Sequence, residues 1–341
     1  MTEPSLRPVG RWLALWCLML VALVVIGGVT RLTESGLSIT EWRPVTGVVP
    51  PLTREAWDAE FARYQQIPEY RQQGGSMTLG DFQRIYFWEY LHRLWARLLG
   101  VAFALPLAWF IVRGQVRGRL ARQLTALLVL LGAQGALGWY MVRSGLVDRV
   151  DVSQYRLAAH LGLALGIHVW ALWLATGILA PPAPGTGSRV AARWSLAFTG
   201  YVFLTIIAGA FVAGLDAGHA WNTFPLMGGS FVPGGYGQLT PAWINAFENP
   251  AAVQFHHRWL GVGAVLGAAV LWGWLRGRAG IASRARRLAG ATALVAVAQA
   301  LLGIATLLFA VPIPLAAVHQ FGAVILLTSA VLTLHALRPQ G

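Results

Sequence analysis

Long apolar runs alternate along this chain with short arginine-bearing connectors and two longer polar stretches. The runs lack the two-residue alternation of a half-buried strand, and each is about as long as the 20 or so residues that a helix needs to cross a bilayer. Eight can be read, at roughly residues 12–30, 85–112, 123–142, 153–180, 194–213, 250–275, 288–310 and 314–337. The pattern predicts an all-α integral membrane protein with eight transmembrane helices. An even number of crossings puts both termini on the same side.

Composition agrees with this reading. The 341 residues are 56% hydrophobic and 11% charged, with a mean hydropathy of +0.58, which excludes a soluble domain. The chain has no lysine, so orientation rests on arginine. Short connectors carry Arg113, Arg117, Arg119 and Arg122, then Arg189 and Arg193, then Arg276, Arg278, Arg284, Arg286 and Arg287, with no acidic residue among them. The positive-inside rule makes these connectors and both termini of a multi-pass membrane protein cytoplasmic. Residues 31–84 mix both signs and lie outside, with a candidate helix at 54–66. The formal charge of +13 is thus a topology signal, and with no soluble basic face a nucleic-acid role is excluded. The first apolar run is too long for a signal-peptide core and has no small-x-small cleavage site, so it reads as a retained span. Cys17, the single cysteine, lies inside that run, which leaves no intramolecular disulfide and no cysteine-based metal site.

The two halves of the chain repeat. A shift of 165 positions lays His92-Arg93 on His257-Arg258, and Ala133-Gln134-Gly135-Ala136-Leu137-Gly138 on Ala298-Gln299-Ala300-Leu301-Leu302-Gly303. After a slip of six, His160 meets His319; upstream, a shift of 182 sets Gly27 on Gly209, Glu34 on Asp216 and Gly36 on Gly218. Four spans per repeat make the halves parallel, so the expected architecture is two parallel-repeated four-helix bundles, residues 1–180 and 181–341.

The repeat carries the chemistry. Imidazole is costly to bury in lipid and is a common ligand for haem iron, and two facing histidines per bundle are what a haem needs at its two axial positions. His92 and His160 form the pair of the first half, His257 and His319 that of the second, all in the outer half of the membrane. His168 has no repeat partner and reads as a bridge between helices. His219 in an outer loop, His335 at the far end of the last span, and His256, turned about 100° from His257, are poor ligands. Glu89 lies three residues before His92 on the same helix face, where the second half has Gln254. The two sites are therefore not equivalent, and Glu89 is a functional candidate set against an ion pair with Arg93. Arg93 and Arg258 suit haem propionates, because a guanidinium forks a carboxylate well.

These residues resemble a known family. The carrying segments are Gly27-Gly28-Val29-Thr30-Arg31-Leu32-Thr33-Glu34-Ser35-Gly36-Leu37-Ser38 with Trp42, Pro44, Gly47 and Pro50-Pro51, then Trp88-Glu89-Tyr90-Leu91-His92-Arg93 and Met141-Val142-Arg143-Ser144-Gly145-Leu146. In the second half they are Val212-Ala213-Gly214-Leu215-Asp216-Ala217-Gly218, Asn222-Thr223-Phe224-Pro225-Leu226-Met227, and Phe247-Glu248-Asn249 leading into Gln254-Phe255-His256-His257-Arg258. Over nearly all of residues 27–335 the chain resembles the haem A synthases, the CtaA/Cox15 family, in their alphaproteobacterial and mitochondrial form. The resemblance implies a membrane oxidoreductase that converts the C8 methyl of haem O to the formyl group of haem A by two successive hydroxylations and loss of water. It implies that His92 and His160 face the substrate haem O, that His257 and His319 hold a haem b, and that Glu89 sits beside the reacting methyl. Haem O synthase and cytochrome oxidase assembly factors are the implied protein partners, with membrane lipid around the chain and a homo-oligomer compatible with it. Some bacterial members carry cysteine pairs in their outer loops; with Cys17 alone, any thiol-based step is excluded here.

Two other classes compete. A bis-histidine cytochrome exchanging electrons with quinone would want two equivalent sites, and the Glu89/Gln254 difference counts against it. A haem transporter or chaperone would use such pairs as transient ligands and carry a tryptophan-rich outer-loop motif, which this chain lacks.

Overall fold

The computed structural model describes residues 5–43, 46–72, 75–145, 152–182 and 187–339. Pro44 and Leu146, quoted above in the family-like segments, lie outside the described residues. Among the described residues eight helices are long and apolar enough to cross a membrane: α1 (Arg7–Leu32), α4 (Leu79–Val112), α5 (Gly118–Gly145), α6 (Gln154–Leu179), α7 (Arg189–Gly214), α9 (Pro250–Arg276), α10 (Ser283–Leu308) and α11 (Ile313–Leu337). Between α1 and α4 the outer segment holds α2 (Arg54–Tyr64) and α3 (Pro68–Gln72), and a short α8 (Asn245–Glu248) precedes α9. Among the described residues there is no strand. Helices satisfy every internal backbone N–H and C=O within the segment, as a hydrocarbon surround demands.

The outward faces confirm the solvent. Leu15, Leu18, Leu105, Val129, Leu204, Val270 and Leu294 are all exposed on the protein surface. A soluble protein would not tolerate such a belt, whereas lipid tails match it. The chain is a multi-pass membrane protein.

Around the first four membrane helices, α1 packs on α4 and α6, and α5 packs on the same two. Around the last four, α7 packs on α9 and α11, and α10 does likewise. Each set therefore closes with its histidine-bearing helices, α4 and α6 or α9 and α11, on a diagonal. The sets meet where α6 lies on α7 and α11, and α1 on α11. One buried cluster fills the first set, through Leu13, Trp16, Leu99, Phe103, Leu124 and Ile167. A second cluster fills the last set and crosses the seam, taking Val21 and Val24 of α1 and Leu165 of α6 in with Val202, Leu275 and Leu327.

Helix starts are set by caps outside the apolar runs. Thr78 and Asp81 form a reciprocal capping box that begins α4 at Leu79, one and a half turns before the apolar run. Asn249 accepts from the N–H groups of Ala251 and Ala252, and Pro250 follows at the first helical position of α9. Arg284, Arg286 and Arg287 stand inside the first turns of α10 and not in a connector. That placement opposes the helix dipole, so the preference of arginine for one membrane face outweighs it.

Candidate functional site

Four imidazoles point the site out. His92 rides on α4, His160 on α6, His257 on α9 and His319 on α11. Their diagonal placement turns each pair towards one bundle interior. The rings of His257 and His319 are 6.4 Å apart between centroids and nearly perpendicular. Two imidazoles bound to one metal from opposite sides, at about 2 Å per bond, give centroids roughly 6 Å apart. His92 and His160 stand on the corresponding two helices of the first set, α4 and α6. Among the described residues no three His, Cys, Asp or Glu side chains gather round one point. A centre whose macrocycle supplies the other four donors, and asks only two of the protein, matches this set.

Each of the four rings rests on a glycine of a flanking helix. A Cβ added to Gly27 of α1 would stand 3.0 Å from Cε1 of His92, and one on Gly138 of α5 would stand 3.1 Å from Cε1 of His160. On Gly209 of α7 it would come within 2.9 Å of Cε1 of His257, and on Gly303 of α10 within 2.7 Å of Cε1 of His319. The same ring atom meets the same missing side chain four times. These glycines fix how close, and at what angle, each imidazole can stand.

Behind the rings the two pairs differ. His257 Nδ1 is 3.1 Å from the Thr205 carbonyl, which keeps its proton on that nitrogen and leaves Nε2 free as a ligand. Gln299 places its amide nitrogen 3.1 Å from His319 Nδ1 and donates at 2.8 Å to the His319 carbonyl. In the first half Gln134 makes the corresponding bond to the His160 carbonyl, at 2.9 Å. Yet Nδ1 of both His92 and His160 is buried with no hydrogen-bond partner. In the second half each Nδ1 has a polar neighbour, and in the first half neither does.

Glu89 is 2% exposed, and both its oxygens are in use. Arg93 donates to Oε1 at 2.5 Å, while the Ser38 hydroxyl and the Ile39 N–H donate to Oε2 at 2.7 Å each. Arg93 also donates to the carbonyls of Ile39 and Glu41. The carboxylate thus pins the outer segment over α4, one turn from His92. In the second half Gln254 donates to the Ala217 carbonyl, and Arg258 donates to Gln254 and to the carbonyls of Trp221 and Thr223. The scaffolds agree and the charge does not: a carboxylate on one side, an amide on the other. Both guanidiniums are directed to loop carbonyls.

The outer segment after α1 is itself packed. Leu37, Tyr64, Ile67, Phe82 and Tyr86 form a buried cluster with Trp57, Phe61 and Tyr70 around it. Burial pushes the Tyr64 phenol above its ordinary range, so it stays neutral. Tyr90 donates to the Val48 carbonyl and Arg97 to that of Arg43, which brings the segment down onto α4.

The remaining histidines fall where their sequence context suggests. His168 Nε2 is 2.9 Å from the Thr328 hydroxyl, bridging α6 to α11. His256 turns outward to the Tyr236 hydroxyl, 2.7 Å away. His219 is exposed, and His335 is buried edge-on against Trp173. Reasoning from sequence missed the four glycine seats, the support from Gln134 and Gln299, and the Ser38 bond to Glu89. All of these residues stand in the repeated or family-like segments, but their roles follow only from three-dimensional neighbours.

Comparison with known proteins bears on this geometry. A family model described as cytochrome oxidase assembly protein matches residues 10–331. A heme A synthase of Rhodospirillum centenum is 52% identical over 337 residues, covering 98% of this chain and 89% of that protein. One from Sinorhizobium medicae is 48% identical, covering 97% and 90%, and one from Nitrosospira multiformis is 44% identical, covering 98% and 94%. The chain belongs to the COX15-CtaA family of cytochrome oxidase assembly proteins.

Proposed function

We propose that this chain is a haem A synthase: an oxidoreductase of the bacterial inner membrane that converts the C8 methyl of haem O to a formyl group, giving haem A for cytochrome oxidase. Two hydroxylations at that carbon followed by loss of water account for the product. The observation that carries the reading is the unequal equipment of two matching histidine pairs. The His257–His319 pair has a polar neighbour at each Nδ1 and no buried carboxylate beside it, as suits a resident haem b that supplies one-electron chemistry when bound. The His92–His160 pair has unsupported Nδ1 atoms and a buried carboxylate one turn away, as suits a substrate that must enter, react and leave.

On this reading residues 1–180 form the substrate half and residues 181–341 the haem b half. His92 and His160 would hold the iron of haem O and orient the ring, and Glu89 holds negative charge near the methyl as that carbon is oxidised, or accepts a proton released in that step. Arg93 and Arg258 fix the outer segments over the two pairs and lend positive charge to propionate groups nearby. The packed outer segment over α4 keeps bulk water from the first pair. Both termini and the arginine-bearing connectors are cytoplasmic, which places both histidine pairs towards the outer face. Haem O synthase and oxidase assembly factors are the partners such a reaction requires.

The test is pigment analysis by haem extraction and chromatography of cells expressing Glu89→Gln beside the wild type. The amide keeps the shape and several hydrogen bonds. Expected are normal protein and haem b levels, with haem A formation reduced on the order of 10²-fold and haem O or its hydroxylated form accumulating. Normal haem A yield would leave Glu89 as a tether for the outer segment and nothing more.

A further inference from the structure

The arginines at the start of α10 have no role in the site above, and the sequence alone reads them as solvated topology signal. The structure gives them a shape. An open groove of about 440 Å³ runs between the end of α9 and the start of α10, lined by Trp272, Arg276, Arg286, Arg287 and Gly290. We propose that this groove binds the phosphate headgroup of an anionic phospholipid, on a site built for it and not by general surface charge.

Charge comes first. Three guanidiniums converge there, and no acidic residue follows Glu248 in the sequence, so α9, α10 and α11 offer them no carboxylate side chain. Arg286 donates through Nη2 to the Arg278 carbonyl at 2.8 Å, while its Nε is buried without a partner. Arg276 is stacked on the Trp272 ring, its guanidinium carbon 4.8 Å from the centroid, which holds the cation at the rim. The first turn of α10 has no side-chain cap, so its free N–H groups add to the positive end of a helix already crowded with cations. An anion relieves both.

Shape comes second. Gly290 opens the floor, for a Cβ there would stand 3.0 Å from the Trp272 indole nitrogen. From Gly290 the exposed residues Leu294, Val297 and Leu301 continue along one face of α10 at helical spacing. A headgroup in the groove therefore has an apolar wall directly beneath it for its acyl chains. A free phosphate has no use for that wall, and basic pockets between membrane helices are a recurrent way to hold anionic lipid.

The experiment is native mass spectrometry of the full-length protein released from detergent, after exchange into phosphatidylglycerol or phosphatidylcholine. Expected is selective retention of phosphatidylglycerol, lowered on the order of tenfold in the double variant R286Q/R287Q. Gly290→Leu fills the floor without removing a charge and is expected to lose the same adduct. R117Q/R119Q, which removes equal charge from another arginine-bearing connector, is expected to keep it. Size-exclusion profiles check that each variant is folded, and the two groove variants fail independently. Equal retention of both lipids, equal loss in R117Q/R119Q, or displacement of the lipid by inorganic phosphate would overturn the proposal. None of these readouts depends on haem, so they stand or fall apart from the proposed activity.

Discussion

At the scale of single residues, the site is as much a matter of missing atoms as of present ones. Imidazole rings declare themselves in an apolar sequence because burying them is costly, and the repeat of the chain pairs them. The glycines beneath them do not, since a membrane helix uses glycine at many crossings and only the fold shows which ones face a ring. Gly209 and Gly303 stop a Cβ from intruding to within 2.9 and 2.7 Å of His257 and His319. Gly209→Ala and Gly303→Ala are therefore expected to tilt the ring and lower b-type absorbance per mole of purified protein several-fold, without loss of expression. Gly138→Ala, where the contact would be 3.1 Å, should leave that absorbance unchanged, because it touches the other pair. Reduced-minus-oxidised spectra of the three variants decide the matter, and wild-type absorbance in Gly303→Ala would show the seat to be incidental.

At the scale of elements, hydropathy located the eight membrane helices found among the described residues, and both ends of α6, α9 and α11, but not the starts of α1, α4, α5, α7 and α10. The apolar run of α4 begins near residue 85, and the helix begins at Leu79, because Thr78 and Asp81 cap it in the polar segment beyond the bilayer. In α10 the polar first turn carries the arginines, which a hydropathy window excludes. Caps also differ in what else they do. Thr78 is exposed and serves its helix alone, so Thr78→Ala is expected to cost about 1 kcal/mol. Asn249 caps α9 and also donates to the Gly235 carbonyl at 2.6 Å and to Asn245 Oδ1 at 2.8 Å, tying the second outer loop to the helix that carries His257. Asn249→Ala removes the cap and buried hydrogen bonds together, so a loss nearer 2–4 kcal/mol is expected. Thermal denaturation in detergent should place the Asn249→Ala midpoint clearly below that of Thr78→Ala. Equal midpoints would mean the loop tether contributes nothing.

At the scale of the whole molecule, the pairing within each half follows from internal similarity, but the seam between halves has no such rule. Gln320, next to His319, donates at 2.9 Å to the Val24 carbonyl across 296 positions of chain, and a Cβ on Gly28 would overlap its amide. Arg31 pairs with Asp216 at 2.7 Å over the same seam. Gly27 and Gly28 of α1 thus face His92 on one side and the neighbour of His319 on the other, so the two pairs are set at a fixed separation by one short stretch of helix. That fixed frame lets the pairs be told apart by function. If orientation follows arginine, reporter fusions at Arg117 and Arg284 should read cytoplasmic, and fusions near Gln72 and Gly235 external; an external reading at Arg284 would break the eight-span frame. Within that frame, the supported pair should keep its haem through purification and the unsupported pair should exchange. His257→Ala removes a ring whose Nδ1 is anchored to Thr205, and is expected to abolish most of the low-spin b-type absorbance. His92→Ala removes an unanchored ring, and is expected to keep that absorbance while haem A formation stops. Absorbance spectra of the two purified variants, with haem extraction of the same cells, separate the cases. Loss of b-type absorbance in His92→Ala with its retention in His257→Ala would invert the assignment of the two halves.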